Sequence, residues 1–169
     1  MRQENVNRVL EVFYEFSARR FTVRELSKLT KIPRATVHKI LVRLKKEEMV
    51  DGDNRAVRDG RFLVKKSNYY VEKIVDSGLV DFLVEELTPS AILLFGSIQK
   101  GDSVKESDVD IFVESPVEES IRVEMDLDLG KFERKIGHKI QLFVKSDINK
   151  LNDHLFNNVN NGIRLFGGV

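Results

Sequence analysis

Asp108-Val109-Asp110 places two carboxylates two residues apart in a stretch, Asp108 to Glu114, that alternates polar and apolar side chains. Such alternation predicts a strand, and residues two apart on a strand point to the same face, about 7 Å apart along the backbone. Two carboxylates side by side repel, and a cation offsets that cost. Magnesium suits the pair, because it takes a few hard oxygen ligands and completes its shell with phosphate oxygens. Upstream, Gly96-Ser97 ends the apolar run Ala91-Ile92-Leu93-Leu94-Phe95. A glycine there lets a triphosphate approach the backbone, and the serine hydroxyl can hydrogen-bond it, especially if a helix starts at that point and aims its N–H groups at the anion.

The elements that must carry these residues can be read from the spacing. Ala91 to Phe95 is a short continuous apolar run, as in a strand buried on both faces. A loop from Lys100 to Ser107 leads to the Asp108 strand, and Lys139 to Val144 forms a later one. Between them Ile121, Met125, Leu129, Phe132 and Ile136 mark a helix. Asp126 and Asp128 therefore diverge and read as solvated charges, since positions two apart on a helix do not face each other. Glu114 shares a face with Asp110 but lies about 13 Å along the strand, too far to share one ion. His138 precedes the Gln141 strand and could approach the site, but a lone loop histidine is more often solvent-exposed than catalytic, and it reads as exposed. Ser67 to Leu87 carries apolar residues at helical spacing broken by Ser77-Gly78, which predicts two connecting helices.

Leu94-Phe95-Gly96-Ser97 followed by Ser107-Asp108-Val109-Asp110-Ile111 resembles the signature of the DNA polymerase β-like nucleotidyltransferase superfamily, particularly its minimal members. The resemblance covers about residues 91–166, including the tail Asn161-Gly162-Ile163-Arg164-Leu165-Phe166. It implies a mixed sheet flanked by helices, Asp108 and Asp110 as catalytic residues holding Mg²⁺, and Gly96 and Ser97 holding the β and γ phosphates of a nucleoside triphosphate. The reaction would be in-line transfer of a nucleotidyl group to a hydroxyl. Active members usually carry a third carboxylate on a later strand, and here that position corresponds to Gln141, which brings no charge and cannot act as a base.

The first part of the chain has a different chemistry. Residues 1–70 hold 17 Lys and Arg against nine Asp and Glu, a net +8, and the remainder holds 11 against 18, a net −7. A basic head of this kind suggests a polyanionic partner. Val6, Val9, Leu10, Phe13 and Phe16 form one stripe of a helix from about Glu4 to Ser17. Thr22-Val23-Arg24-Glu25 has the form of a capping box opening a second helix that ends near Thr30. Pro33 suits the first turn of a third, whose buried stripe is Val37, Ile40, Leu41 and Leu44. Two short helices joined by a tight turn have the layout of a helix-turn-helix. Arg34, Thr36 and Lys39 then lie nearest the base edges of double-stranded DNA, and Arg43 meets phosphate. Asp51-Gly52-Asp53-Asn54 and the following residues to Lys66 read as a β-hairpin. Residues 24–66 thus resemble the winged-helix family of prokaryotic transcription regulators, which implies Arg55, Arg58 and Arg61 as phosphate contacts of the wing.

The expected fold class is α+β, with a winged helix-turn-helix over 1–70 and a nucleotidyltransferase-like domain over 71–169, the helical connection lying at 67–87. The chain has no cysteine, which excludes disulfides and thiolate zinc sites, and its three histidines are scattered. No apolar run is long enough to cross a bilayer and the first residues are polar, so the expectation is a cytoplasmic protein with no membrane partner. The leading functional expectation is a DNA-binding regulator whose second domain binds nucleoside triphosphate and Mg²⁺ with weak or lost transferase activity. Two alternatives stand beside it. One is a working nucleotidyltransferase acting on a small-molecule or protein hydroxyl, the family analogy pointing to a HEPN-type toxin as protein partner. The other is a DNA-binding adaptor whose second domain is purely structural. Reading two half-sites on DNA would call for a homodimer.

Overall fold

A computed structural model describes residues 2–116 and 127–167. The chain divides into two compact units, Met1–Lys66 and Ser67–Val169.

The first unit is built on three helices, α1 (Gln3–Glu15), α2 (Val23–Thr30) and α3 (Arg34–Lys46). Val6, Val9 and Phe13 bury the inner stripe of α1, and Phe13 meets Phe21 edge-on at 5.5 Å. Phe16 departs from the expected stripe: α1 ends at Glu15, and Phe16, at the cap with non-helical backbone, is 38% exposed. The capping box of α2 is present in both halves, the Glu25 N–H donating to Thr22 Oγ1 at 3.2 Å and the Thr22 N–H to Glu25 Oε2 at 2.8 Å. The Thr22 N–H first, then the Thr22 hydroxyl, which donates to the same Oε2 at 2.9 Å, and the Arg19 guanidinium hold the Glu25 carboxyl below the usual carboxylate range. Lys31 turns the chain in the left-handed conformation, Ser27 Oγ donates to the Ile32 carbonyl, and Pro33 caps α3. Val37, Ile40, Leu41 and Leu44 are the buried face of α3.

The expected hairpin over residues 51–66 is not formed. One antiparallel bridge, Val50 with Ala56, closes a tight loop through Asp51–Asn54, and the chain enters a helix, α4 (Gly60–Asp76), at Gly60. The reason is local. Asp59 behaves as a helix cap, its carboxylate accepting the Phe62 N–H at 2.8 Å. Phe62, Lys66, Tyr70 and Ile74, four residues apart, are all almost completely buried, which is a helical stripe and not a strand alternation. Lys66 belongs to it through its apolar stem, with Nζ donating to the Tyr14 carbonyl at 2.7 Å. The boundary between the two units falls within α4.

The second unit continues from α4 through Ser77-Gly78 into α5 (Leu79–Leu87). Four strands follow: β1 (Ala91–Phe95), β2 (Val109–Glu114), β3 (Ile140–Lys145) and β4 (Ile163–Phe166). They form one mixed sheet in the order β3-β2-β1-β4, with β2 parallel to β3 and the other pairs antiparallel. Short helices intervene: α6 (Gly96–Lys100), α7 (Gly130–Ile136), a 3₁₀ turn at Ile148–Lys150, and α8 (Asp153–Asn160). Of the helix expected from Ile121 to Ile136, Gly130–Ile136 is helical, while residues 121–126, including Met125 and Asp126, lie outside the described residues.

Period two divides the sheet into two faces. Val109, Ile111 and Val113 are fully buried on one. On the other, Leu93, Phe95, Phe112 and Val159 form a core joined by Phe143, Ile148, Leu151 and Leu155. Asp110 stands on this second face, one step beyond Phe112. Gly162 admits β4 to the sheet, since a Cβ there would lie 2.6 Å from the Leu94 carbonyl oxygen.

Candidate functional site

The site begins where β1 stops. Phe95 is the last residue of that strand, and α6 starts at once with Gly96 and Ser97. Gly96 has φ +75°, a conformation that side-chain-bearing residues rarely adopt, and a Cβ at this position would lie 2.0 Å from Oδ2 of Asp110. The glycine is therefore needed twice, for its backbone angle and for the carboxylate lying against its α carbon. The Ser97 carbonyl accepts the N–H groups of Asp102 and Ser103 at 3.2 Å each, which folds the start of the following loop back onto α6.

Asp110 occupies the second position of β2, paired with Phe95 of β1 and Gln141 of β3. Burial raises its carboxyl above the ordinary aspartate range, and the charge of Asp108 adds to the rise. Asp108 stands one residue before β2 and is exposed, so the pair consists of one half-buried and one exposed carboxylate. Gln141, the direct register neighbour of Asp110, is exposed. Phe95 and Phe143 meet at 5.3 Å beneath this row.

Could these residues hold a cation? Among the described residues no group of three His, Asp or Glu side chains converges. A closed, all-protein metal centre does not fit that donor set. An ion carried in with phosphate oxygens does, because two carboxylates that repel one another, plus the Gln141 carbonyl, are the partial shell that Mg²⁺ takes when a ligand supplies the rest. Glu114 contributes nothing here: Ser90 Oγ donates to its Oε2 at 2.7 Å and the Ile148 N–H to its Oε1 at 3.0 Å.

A cleft of about 350 Å³ opens beside Asp108, lined on one side by Lys105, Glu106 and Ser107 and on the other by Glu133, Arg134 and residues 137–139. His138 corrects the expectation of a solvent-exposed loop residue. It is 5% exposed, with Nδ1 2.7 Å from the Ser107 carbonyl oxygen and its ring edge-on to Tyr70 at 5.1 Å. The spacing from Arg134 to Leu142 gives no sign of this burial, because the partners seen here, the Ser107 carbonyl and the Tyr70 ring on α4, are distant in sequence.

The residues expected at a DNA surface belong to the first unit. Arg34, Lys39 and Arg43 are exposed on α3 and Thr36 is half-buried. Arg43 is engaged by Glu47, Nε to Oε1 2.6 Å, one turn along. Arg55 and Arg58 are exposed on the loop before α4. Arg61 does not share a hairpin with them. It lies in the first turn of α4, where its guanidinium donates to the Glu47 carbonyl and approaches Glu48 at 3.3 Å.

Among the described residues no helix is long and apolar enough to cross a membrane. No curated protein and no solved structure gives a significant match to this chain. The model of the nucleotidyltransferase domain family matches residues 76–165, more than half of the chain and all of the sheet through Leu165, so the chain belongs to that family.

Proposed function

We propose that the second unit binds a nucleoside triphosphate with Mg²⁺, that its transferase activity is weak or lost, and that the first unit attaches this function to double-stranded DNA as a transcriptional regulator. One observation carries the reading of the second unit: Asp110 is pressed against Gly96 on one side and aligned with Gln141 on the other. The first contact supports a carboxylate held directly beside the Gly96-Ser97 turn, so that an ion on it would lie next to a phosphate chain received there. The second supports a site that has a neutral amide where a third acid would complete the charge and accept a proton.

In this reading Asp108 and Asp110 hold the ion, and the Ser97 hydroxyl and the Gly96 backbone receive the β and γ phosphates. Mg²⁺, when bound, supplies neutralisation of the phosphate charge and orientation of the reacting oxygens. Gln141 can donate an amide N–H or offer its carbonyl, but it cannot take the proton of an attacking hydroxyl. The helix-turn-helix reading of the first unit rests on the tight turn between α2 and α3, on the exposed Arg34 and Lys39, and on the net +8 of residues 1–70. With that arrangement Arg34, Thr36 and Lys39 face base edges while Arg43, Arg55 and Arg58 face phosphate.

The test is thermal melting with each of the four nucleoside triphosphates plus Mg²⁺, on the natural chain and on Asp108→Ala/Asp110→Ala. A ligand that binds only the native state raises its stability, by about 2.7 kcal/mol at a hundredfold excess over Kd. A Mg²⁺-dependent rise that disappears in the double variant is the expected result. No rise with any triphosphate would reject nucleotide binding and leave the second unit as an adaptor. Nucleotidyl transfer at ordinary turnover, to a protein hydroxyl such as that of a HEPN-type partner or to a small molecule, would reject the weakened site in favour of a working enzyme.

A further inference from the structure

We infer that His138 is a positioning residue for Asp108, the exposed half of the carboxylate pair; the inference rests on the reading of that pair as an ion site. A carbonyl oxygen only accepts, so at 2.7 Å from the Ser107 oxygen the Nδ1 atom carries the hydrogen. The next residue acts on the other flank, the Lys139 carbonyl accepting the Val109 N–H at 2.8 Å. Asp108 is thus bracketed: the peptide group on each side of it is tied to one of two consecutive residues, 138 and 139, that lead into β3. Gln141 follows three residues after His138 and stands in register with Asp110. The same pair of ties therefore sets Asp108 against both other members of the site.

The bond at Ser107 has no backup from the side chain it positions. Asp108 is exposed, so packing does not hold its carboxylate, whereas Asp110 is confined by Gly96. Ser107 itself closes a tight turn with Val104, through Ser107 N–H to the Val104 carbonyl at 3.0 Å and the Val104 N–H to Ser107 Oγ at 2.9 Å. The imidazole bonds the carbonyl that leads out of this turn into Asp108. The imidazole is in turn held by its burial and by the edge of Tyr70, which is completely buried on α4. Because no third acid converges on the pair among the described residues, displacement of Asp108 leaves Asp110 as the one carboxylate ligand there.

Two variants separate the hydrogen bond from the packing. His138→Phe keeps a ring against Tyr70 and removes the donor; His138→Asn removes the ring and keeps an amide N–H near the place of Nδ1. Both are compared with the natural chain for the Mg²⁺ concentration giving half-maximal ATP binding and for backbone amide resonances. The expected result is a rise of about tenfold in the Mg²⁺ requirement of His138→Phe, the usual effect of losing a group that orients a metal ligand, with recovery in His138→Asn. Amide resonances of residues 107–110 shift in the first variant and return in the second. Unchanged Mg²⁺ dependence in His138→Phe overturns the inference, as does an equal loss in both variants. If the natural chain binds no Mg²⁺ and nucleotide, the ion-site reading fails, and the amide resonances decide the positioning claim alone: no shift at 107–110 overturns it.

Discussion

The cations on α3 and the carboxylates at β2 are held in opposite ways. Arg34 and Lys39 stand in solvent on long stems, their direction set only by which side of the helix Val37, Ile40 and Leu41 bury. Asp110 is half-buried, is repelled by the charge of Asp108, and leaves no room for even a methyl group at Gly96. A surface that attracts a polyanion works through summed charge and tolerates the loss of one member. A site built on strand register and on close approach of backbone depends on single atoms. The second unit should therefore fail at single substitutions, and the first should weaken by steps.

The sharpest break is expected at Gly96→Ala. The new methyl must displace the Asp110 carboxylate and the residue must hold φ +75°, so nucleotide- and Mg²⁺-dependent stabilisation should vanish. Strain of this kind costs roughly 1–3 kcal/mol, read as a lowered urea midpoint with an unchanged slope. Next in size is a gain. Gln141→Glu places a third carboxylate beside Asp110 without changing side-chain length, and nucleotidyl transfer assayed with labelled triphosphate should rise by about 10²-fold, the lower range for a positioned general base. No gain would mean that the missing acid is not what limits the site.

In the first unit, Arg58→Ala, at a phosphate-facing position, should reduce affinity for duplex DNA by about tenfold or less and lower the slope of log K against log salt by about one. A complete loss of binding from this one change would contradict the additive picture. The smallest effect concerns the ion-free protein. The native state raises the pKa of Asp110, so it disfavours the ionised form, and this cost grows as pH rises through the folded value and is absent well below the ordinary aspartate range. Asp110→Asn should therefore raise the melting temperature at neutral pH by about 1–2 °C, solvent screening of a half-exposed group keeping it small, and the gain should disappear in acid.

The parts of the site that lie within a few residues of each other were legible in the sequence. Asp110 lies on the strand that the alternation predicts and Asp108 stands one residue before it, while Gly96-Ser97 follows the end of β1, where the apolar run stops. Gln141 was identified through resemblance, and its place beside Asp110 is a matter of strand pairing. What spacing could not show is contact between segments far apart: the imidazole of His138 under Ser107, or the Tyr70 ring beside it. The hairpin expected over residues 51–66 shows a different limit. Gly and Asp mark turns and helix starts alike, and Asp59-Gly60 opens a helix, whose stripe is Phe62, Lys66, Tyr70 and Ile74. A lysine in that stripe disguised it, because only its stem is apolar.

The strand order also governs when the second unit can be completed. β1 is interior to the sheet, but its partner on one side, β4, arrives more than sixty residues later, Ile92 pairing with Phe166 and Leu94 with Ile163. Until then Ala91-Ile92-Leu93-Leu94-Phe95 presents an apolar edge with unpaired amides, the kind of surface that recruits a strand from another molecule. Assembly of this unit is thus a race between closure by its own distant segment and association with a stranger, and any version of the chain cut short before Ile163 is expected to lose it by aggregating.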